Sequence, residues 1–190
     1  MTSSSYKFMT KSWREDIAGN ERSRLIRWRH ENTVTRIGKP TRPDKARRLG
    51  YTAKTGFVIV RVRVGKGGSK REMPARGRAP SKMGLVRYSP KLSQRVIAEQ
   101  RASKKYVGLE VLNSYFAGED GRSKWFEVIL VDVNHPQIRS DHRISWIASA
   151  KGRVRRGLTS AGKKSRGLHH KGSGVVKNRP SIGAKDTKGK

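Results

Sequence analysis

Phe57-Val-Ile-Val-Arg-Val-Arg-Val64 puts Val58, Val60, Val62 and Val64 on one side of an extended backbone and Phe57, Ile59, Arg61 and Arg63 on the other. Strict alternation of β-branched residues predicts a strand with a core side and a second side ending in paired guanidinium groups. Downstream, Leu109 to Ala117 and Lys124 to Val131 flank Gly118-Glu-Asp-Gly121, which predicts a hairpin with turn residues at its tip. On the second arm Phe126, Val128 and Leu130 share a face while Trp125, Ile129 and Val131 load the other, so that strand is expected at the centre of the sheet. Ser89-Pro90 predicts the start of a helix with Leu92, Val96 and Ile97 on its apolar face and Gly108 as its stop. His135-Pro136 and Trp146-Ile147 are expected to close the core.

Ahead of the sheet, the spacing of Tyr6, Met9, Trp13 and Ile17, followed by Leu25, Ile26 and Trp28, predicts two helices parted at Gly19-Asn20. Arg22, Arg24, Arg27 and Arg29 surround the second, as on a helix lying against a charged partner. Thr33 to Pro43 reads as extended, because Pro40 and Pro43 exclude helix. The fold class is α+β: a small antiparallel sheet with flanking helices, a long basic loop and a basic C-terminal extension. Three parts are expected: helices over 1–35, an α+β domain over 36–150 with an extended basic loop at 65–90, and a glycine-rich basic extension over 151–190.

Charge follows this division. The 190 residues hold 45 Lys and Arg against 14 Asp and Glu, a formal net charge of +31. Counted by segment, residues 36–91 carry +15 and 151–190 carry +12, whereas 92–150, the most strand-like part, carries +1. Charge needed only for solubility has no reason to avoid the core-forming segment, so a polyanionic partner is expected. Cysteine is absent, which excludes disulfides and thiolate metal ligands and makes an intracellular site the default. Met1 to Phe8 lacks an apolar signal core, and the longest apolar runs, 57–60 and 128–131, have four residues, so no membrane span is expected.

Gly157 to Lys163 matches the first seven positions of a phosphate-binding loop, but Lys164 stands where Ser or Thr should hold magnesium, and no buried strand precedes it. A flexible basic segment touching phosphates is the better reading. Gly65-Lys66-Gly67-Gly68 reads as a turn leaving the first strand, with backbone free to approach a phosphate closely. The five histidines have no metal-ligand spacing; His169-His170, in the basic tail, are read as stacking or phosphate contacts. Glu110, Glu127 and Asp132 fall in or beside strands and could pair for acid-base work, but salt-bridge partners are the simpler reading. Trp13, Trp125 and Trp146 sit in apolar patterns and are expected in the core, whereas Trp28, between Arg27 and Arg29, is expected to face a nucleotide. On charge and placement, the candidate RNA contacts are Arg27, Arg29, Arg61, Arg63, Lys66, Lys70, Arg71, Arg153, Arg155, Lys163, His169, His170 and Lys171.

Three stretches together carry a resemblance. They are Thr41-Arg-Pro-Asp-Lys-Ala-Arg-Arg-Leu-Gly-Tyr51 with Ala53-Lys-Thr-Gly-Phe57, Val111-Leu-Asn-Ser-Tyr115 with Gly118-Glu-Asp120, and Arg156-Gly-Leu-Thr-Ser-Ala-Gly162 with Lys164-Ser-Arg-Gly-Leu168. In this order they resemble the fifteen-e family of the archaeal and eukaryotic large ribosomal subunit, over about residues 6 to 168. The resemblance implies a non-catalytic, three-layer α/β/α ribosomal component with long segments buried in RNA. It implies RNA contacts at Arg42, Lys45, Arg47, Arg48 and Lys54, and at Arg156, Lys164 and Arg166, with Asp44 orienting a neighbouring arginine. Arg71 to Tyr88 departs from the family, so contacts there rest on charge alone. The implied partners are large-subunit ribosomal RNA and neighbouring ribosomal proteins. No cofactor is implied beyond magnesium or other ions held by the RNA, nor a homo-oligomer, and the place is cytoplasmic ribosomes. The alternative is a basic RNA-modifying or RNA-cleaving enzyme.

Overall fold

The computed structural model describes residues 4–67, 74–84, 92–170 and 172, with the backbone alone over 16–20. Lys70, Arg71 and Lys171, and with them residues 173–190 of the expected tail, lie outside the described residues. Of the expected loop at 65–90, residues 65–67 and 74–84 are described, with one 3-10 turn at Pro80–Lys82.

The valine alternation forms β2 (Phe57–Gly65), with Val60, Val62 and Val64 buried on one side and Ile59 on the other. With β1 (Val34–Ile37), β3 (Leu109–Glu119) and β4 (Ser123–Asp132) it makes an antiparallel sheet of order β1-β2-β4-β3. β4 is central, as its two apolar faces predict. Its hairpin partner β3 runs two residues past the expected end, and register shifts lie between Val111 and Asn113 and between Phe116 and Gly118. Each shift adds an unpaired residue and bends the strand.

Helices cover both faces, giving three layers. On the valine face α3 (Gln94–Lys105) packs Ala98 and Ala102 against Val60, Val62, Val128 and Leu130. This helix starts later than Ser89-Pro90 implies, because the Ser93 hydroxyl accepts from the Val96 amide and caps it there. Leu92 therefore precedes the helix and is exposed. On the other face α1 (Ser5–His30) sets Leu25 and Trp28 against Ala117 and Trp125, and α2 (Pro43–Arg48) sets Ala46 against Tyr115 and Ile129. Farther along, α4 (Pro136–Arg139) and a 3-10 turn at Ser145–Ser149 bring Ile138, Ile144 and Ile147 onto Val131.

Three further expectations are corrected. The N-terminal region is one helix of 26 residues and not two. A glycine inside a helix costs only about 1 kcal/mol, and the Arg24 guanidinium, 4.8 Å from the Trp13 ring centroid, ties the two sides of Gly19 together. Pro43 does not exclude helix but begins one, since a first-turn proline gives up no hydrogen bond. Past Ala150 the chain continues to pack: Val154 enters the valine-side core, and Thr159 caps α5 (Ser160–Ser165), which lies against α3 and β3. Here Gly157, at φ +66°, meets Gly162 so closely that a Cβ on Gly162 would stand 2.8 Å from the Gly157 Cα. The two glycines of the phosphate-loop near-match thus form a packing contact, and no strand leads directly into them.

Candidate nucleic-acid interface

Most of the described acids are engaged by partners within the protein. Glu127 on β4 is fully buried and accepts hydrogen bonds from the Tyr115 hydroxyl at 2.5 Å, the Thr41 amide at 3.1 Å and the Thr41 hydroxyl. Directly across the ladder, Arg61 brings a guanidinium nitrogen within 3.8 Å of it. Arg61 also takes both oxygens of Glu31, at 2.8 and 2.7 Å, which fastens the end of α1 to β2. Burial and the Glu127 charge hold the Tyr115 phenol protonated well above its ordinary range.

On the opposite face Glu99 of α3 is equally buried and accepts from Ser114 at 2.5 Å and Thr159 at 2.6 Å. Arg95 binds Asn113 and the Ser114 hydroxyl and carbonyl beside it. Asn113, Ser114 and Tyr115 of the second resembling stretch, Thr41 of the first and Thr159 of the third are therefore anchors holding loops to the sheet. Burial raises the Glu99 carboxyl above the usual range, against the Ser114 and Thr159 hydrogen bonds that lower it. An acid that binds its proton more tightly when folded contributes most below the unfolded value of about 4.3, and less as pH rises through the folded value. Glu99→Gln, which keeps the shape and has no proton to lose, is expected to flatten this fall in stability as pH rises above about 4.3, as read from melting temperatures across a pH series.

Among the cations expected to meet RNA, many have protein partners. Arg61 is buried, and so is Arg153, whose guanidinium donates to the carbonyls of Val111 and Leu112 at 2.7 and 3.1 Å. These two are interior struts, because alternation and charge alone do not tell a buried guanidinium from a surface one. Arg29 pairs with Asp120 at 2.8 Å, Lys66 with Glu119 at 3.4 Å and Lys54 with Asp141. Arg63 donates to the Arg29 carbonyl at 2.6 Å, and Arg166 to the carbonyls of Arg156 and Gly157. Arg42 lies 3.4 Å from Asp44, so the acid of the first stretch does sit against an arginine.

The remaining candidates are differently placed. Arg27, Arg47, Arg48, Arg155, Arg156, Lys163, Lys164, His169 and His170 are exposed, and none of them forms an ion pair with a described residue; nor does the half-buried Lys45. Lys45 and Arg48 of α2 share a groove of about 890 Å³ with Lys7, Lys11 and Arg14 of α1, and among the described residues no carboxylate lines it. Arg155, Arg156, Lys163 and Lys164 sit on and before α5, in the other helical layer. Arg36, Lys39, Arg76, Arg78 and Lys82 are also exposed and were not singled out; only their charge could have marked them.

Two tryptophans exchange expected places. Trp28 is buried, 5.8 Å from the Trp125 ring, with the Arg61 guanidinium 4.3 Å from its centroid, so it cannot face a nucleotide. Trp146 is 45% exposed. Glu110 accepts from the Gly152 amide at 2.7 Å and Asp132 from the Asn134 amide at 2.9 Å, so both, like Glu127, serve contacts within the protein. Among the described residues no three His, Asp or Glu gather as a metal site, and no helix is long and apolar enough to cross a membrane.

An α/β/α body in which most described acids are engaged internally, and which presents from both helical layers cations that form no ion pair with a described residue, has the build of a protein held against a polyanion. A family model described as Ribosomal L15 matches residues 4–185 of the 190. The chain belongs to this ribosomal L15e family and is thus a protein of the large ribosomal subunit, a structural constituent of the ribosome.

Proposed function

We propose that the chain is a non-catalytic binder of large-subunit ribosomal RNA, which it reaches from two sides at once to support RNA folding and assembly. One observation carries this reading: cations of α2 (Lys45, Arg47, Arg48) and of the α5 region (Arg155, Arg156, Lys163, Lys164), none in an ion pair with a described residue, lie in opposite layers of the body. Each phosphate they neutralise releases counterions, so the logarithm of affinity should fall by about 0.7 to 0.9 per contact for each tenfold rise in salt. Arginine forks suit bidentate phosphate contacts, while the lysines act as point charges. The body docks as a wedge and the basic segments follow the RNA surface. Neighbouring ribosomal proteins are further partners, no homo-oligomer is expected, and ions bound at the interface belong to the RNA. Cytoplasmic ribosomes are the expected location.

Sedimentation of the tagged full chain in a cell lysate tests this. It is expected to travel with the large subunit and to leave that position when ribonuclease is added. A chain found free near the top of the gradient, with or without nuclease, would refute the proposal.

A further inference from the structure

Between α2 and the 3-10 turn at Ser145–Ser149 lies a groove of about 830 Å³, lined among others by Tyr51, Phe57, Trp146, Asp141, Arg47 and Arg143. We infer that this groove takes one unstacked RNA base, preferentially a guanine, with its flanking phosphates on Arg47 and Arg143. The inference rests on the RNA-binding reading above and specifies what part of the RNA enters.

Three features distinguish the groove from a merely basic surface. First, Trp146 is held in place before any ligand arrives. Its indole N–H donates to the Arg143 carbonyl at 3.1 Å, and the Arg153 guanidinium, fixed by two backbone carbonyls, lies 4.7 Å from the ring centroid. A pinned ring loses little freedom when a base stacks on it. Second, Tyr51 and Phe57 meet edge to face, with centroids 5.8 Å apart, and supply an aromatic wall. Third, a carboxylate stands among the arginines. Asp141 pairs with Lys54 through one oxygen and accepts the Arg143 amide at 3.0 Å through the other, which leaves lone pairs on both. The Lys54 hydrogen bond, followed by that of the Arg143 amide, holds it below the usual carboxylate range, so it is an acceptor at neutral pH.

A phosphate is repelled by such an acceptor, whereas a base edge carrying N–H donors is attracted. Guanine presents adjacent N–H donors on its pairing edge, while uracil and adenine each present an acceptor beside a donor. Recognition of single-stranded or bulged RNA works in this way, by stacking on aromatic side chains and bonding to the base edge. The volume falls within the range of about 300 to 1,000 Å³ typical of small-ligand pockets. An acidic peptide would satisfy the arginines but has no use for a carboxylate beside a fixed indole.

The experiment uses the full chain and four RNA duplexes of one sequence, carrying no bulge or a single bulged guanosine, adenosine or uridine, at one salt concentration. The guanosine bulge is expected to bind roughly tenfold more tightly than the plain duplex, from stacking and edge contacts together. Trp146→Ala is expected to reduce that ratio for every bulge, and Asp141→Asn to remove the preference for guanosine over uridine. Each variant's plain-duplex affinity serves as its own reference, so a general loss of charge or folding cannot mimic the result. Equal binding of all four RNAs, or a ratio that survives Trp146→Ala, would overturn the base site and leave general RNA binding standing. Failure to bind any of the four would overturn both.

Discussion

Glu127→Ala is expected to destabilise the protein by about 3 to 5 kcal/mol, the cost of breaking a buried ion pair by removing one partner. The side chain is fully buried at the middle of the central strand and serves the Tyr115 hydroxyl, the Thr41 amide and hydroxyl and the Arg61 guanidinium. Alanine would leave all of these facing a void that water reaches poorly. Because a domain's total stability is about 5 to 15 kcal/mol, the loss is a large fraction of it. Tyr115→Phe, which removes one donor and leaves the carboxylate in place, should cost about 1 to 2 kcal/mol. Urea denaturation of the two variants separates the cases. A loss below about 1 kcal/mol for Glu127→Ala would mean that Glu31 alone suffices to neutralise Arg61.

Replacing Arg155, Arg156, Lys163 and Lys164 together by alanine should do the reverse, leaving the fold and removing binding. All four are exposed and none pairs with a described acid. Four lost phosphate contacts are expected to lower the slope of log affinity against log salt by about 3, with a loss of roughly 100-fold or more at moderate ionic strength. The melting temperature of the free protein should hardly change, and lysine-to-alanine exchanges within α5 suit the helix. Arg153→Ala provides the contrast, because its guanidinium holds the carbonyls of Val111 and Leu112 and its loss should appear first in stability. An unchanged salt slope in the fourfold variant would place the RNA elsewhere on the protein.

The sheet was legible because its signal is local. Val58 to Val64 and Trp125 to Val131 state their faces in a period of two, and the turn chemistry of Gly118 to Gly121 joins the hairpin. What was not legible depended on partners distant in the chain. Nothing near Arg61 or Arg153 distinguishes them from Arg47 or Arg155; Glu31, Glu127 and the carbonyls of β3 decide which are interior. The packing past Ala150 was missed because it hangs on Val154, Thr159 and Ala161, which show no periodicity, and on one carboxylate sixty residues earlier. Trp28 was misread for a related reason. Its arginine neighbours point outward, but the small Gly118 on β3, where a Cβ would stand 3.2 Å from the indole, lets its own ring go inward. The three resembling stretches proved informative about architecture, since their polar residues tie loops to the sheet.

The placement of unpaired cations in both outer layers has a geometric corollary. If each layer grips its own strand of RNA, the gap between those strands is set by the thickness of packed valines, isoleucines and tryptophans, which hardly compresses. The protein would then serve as a rigid spacer as well as a counterion. Trimming its surface would loosen the grip, whereas repacking its interior would alter the distance at which two RNA segments are held.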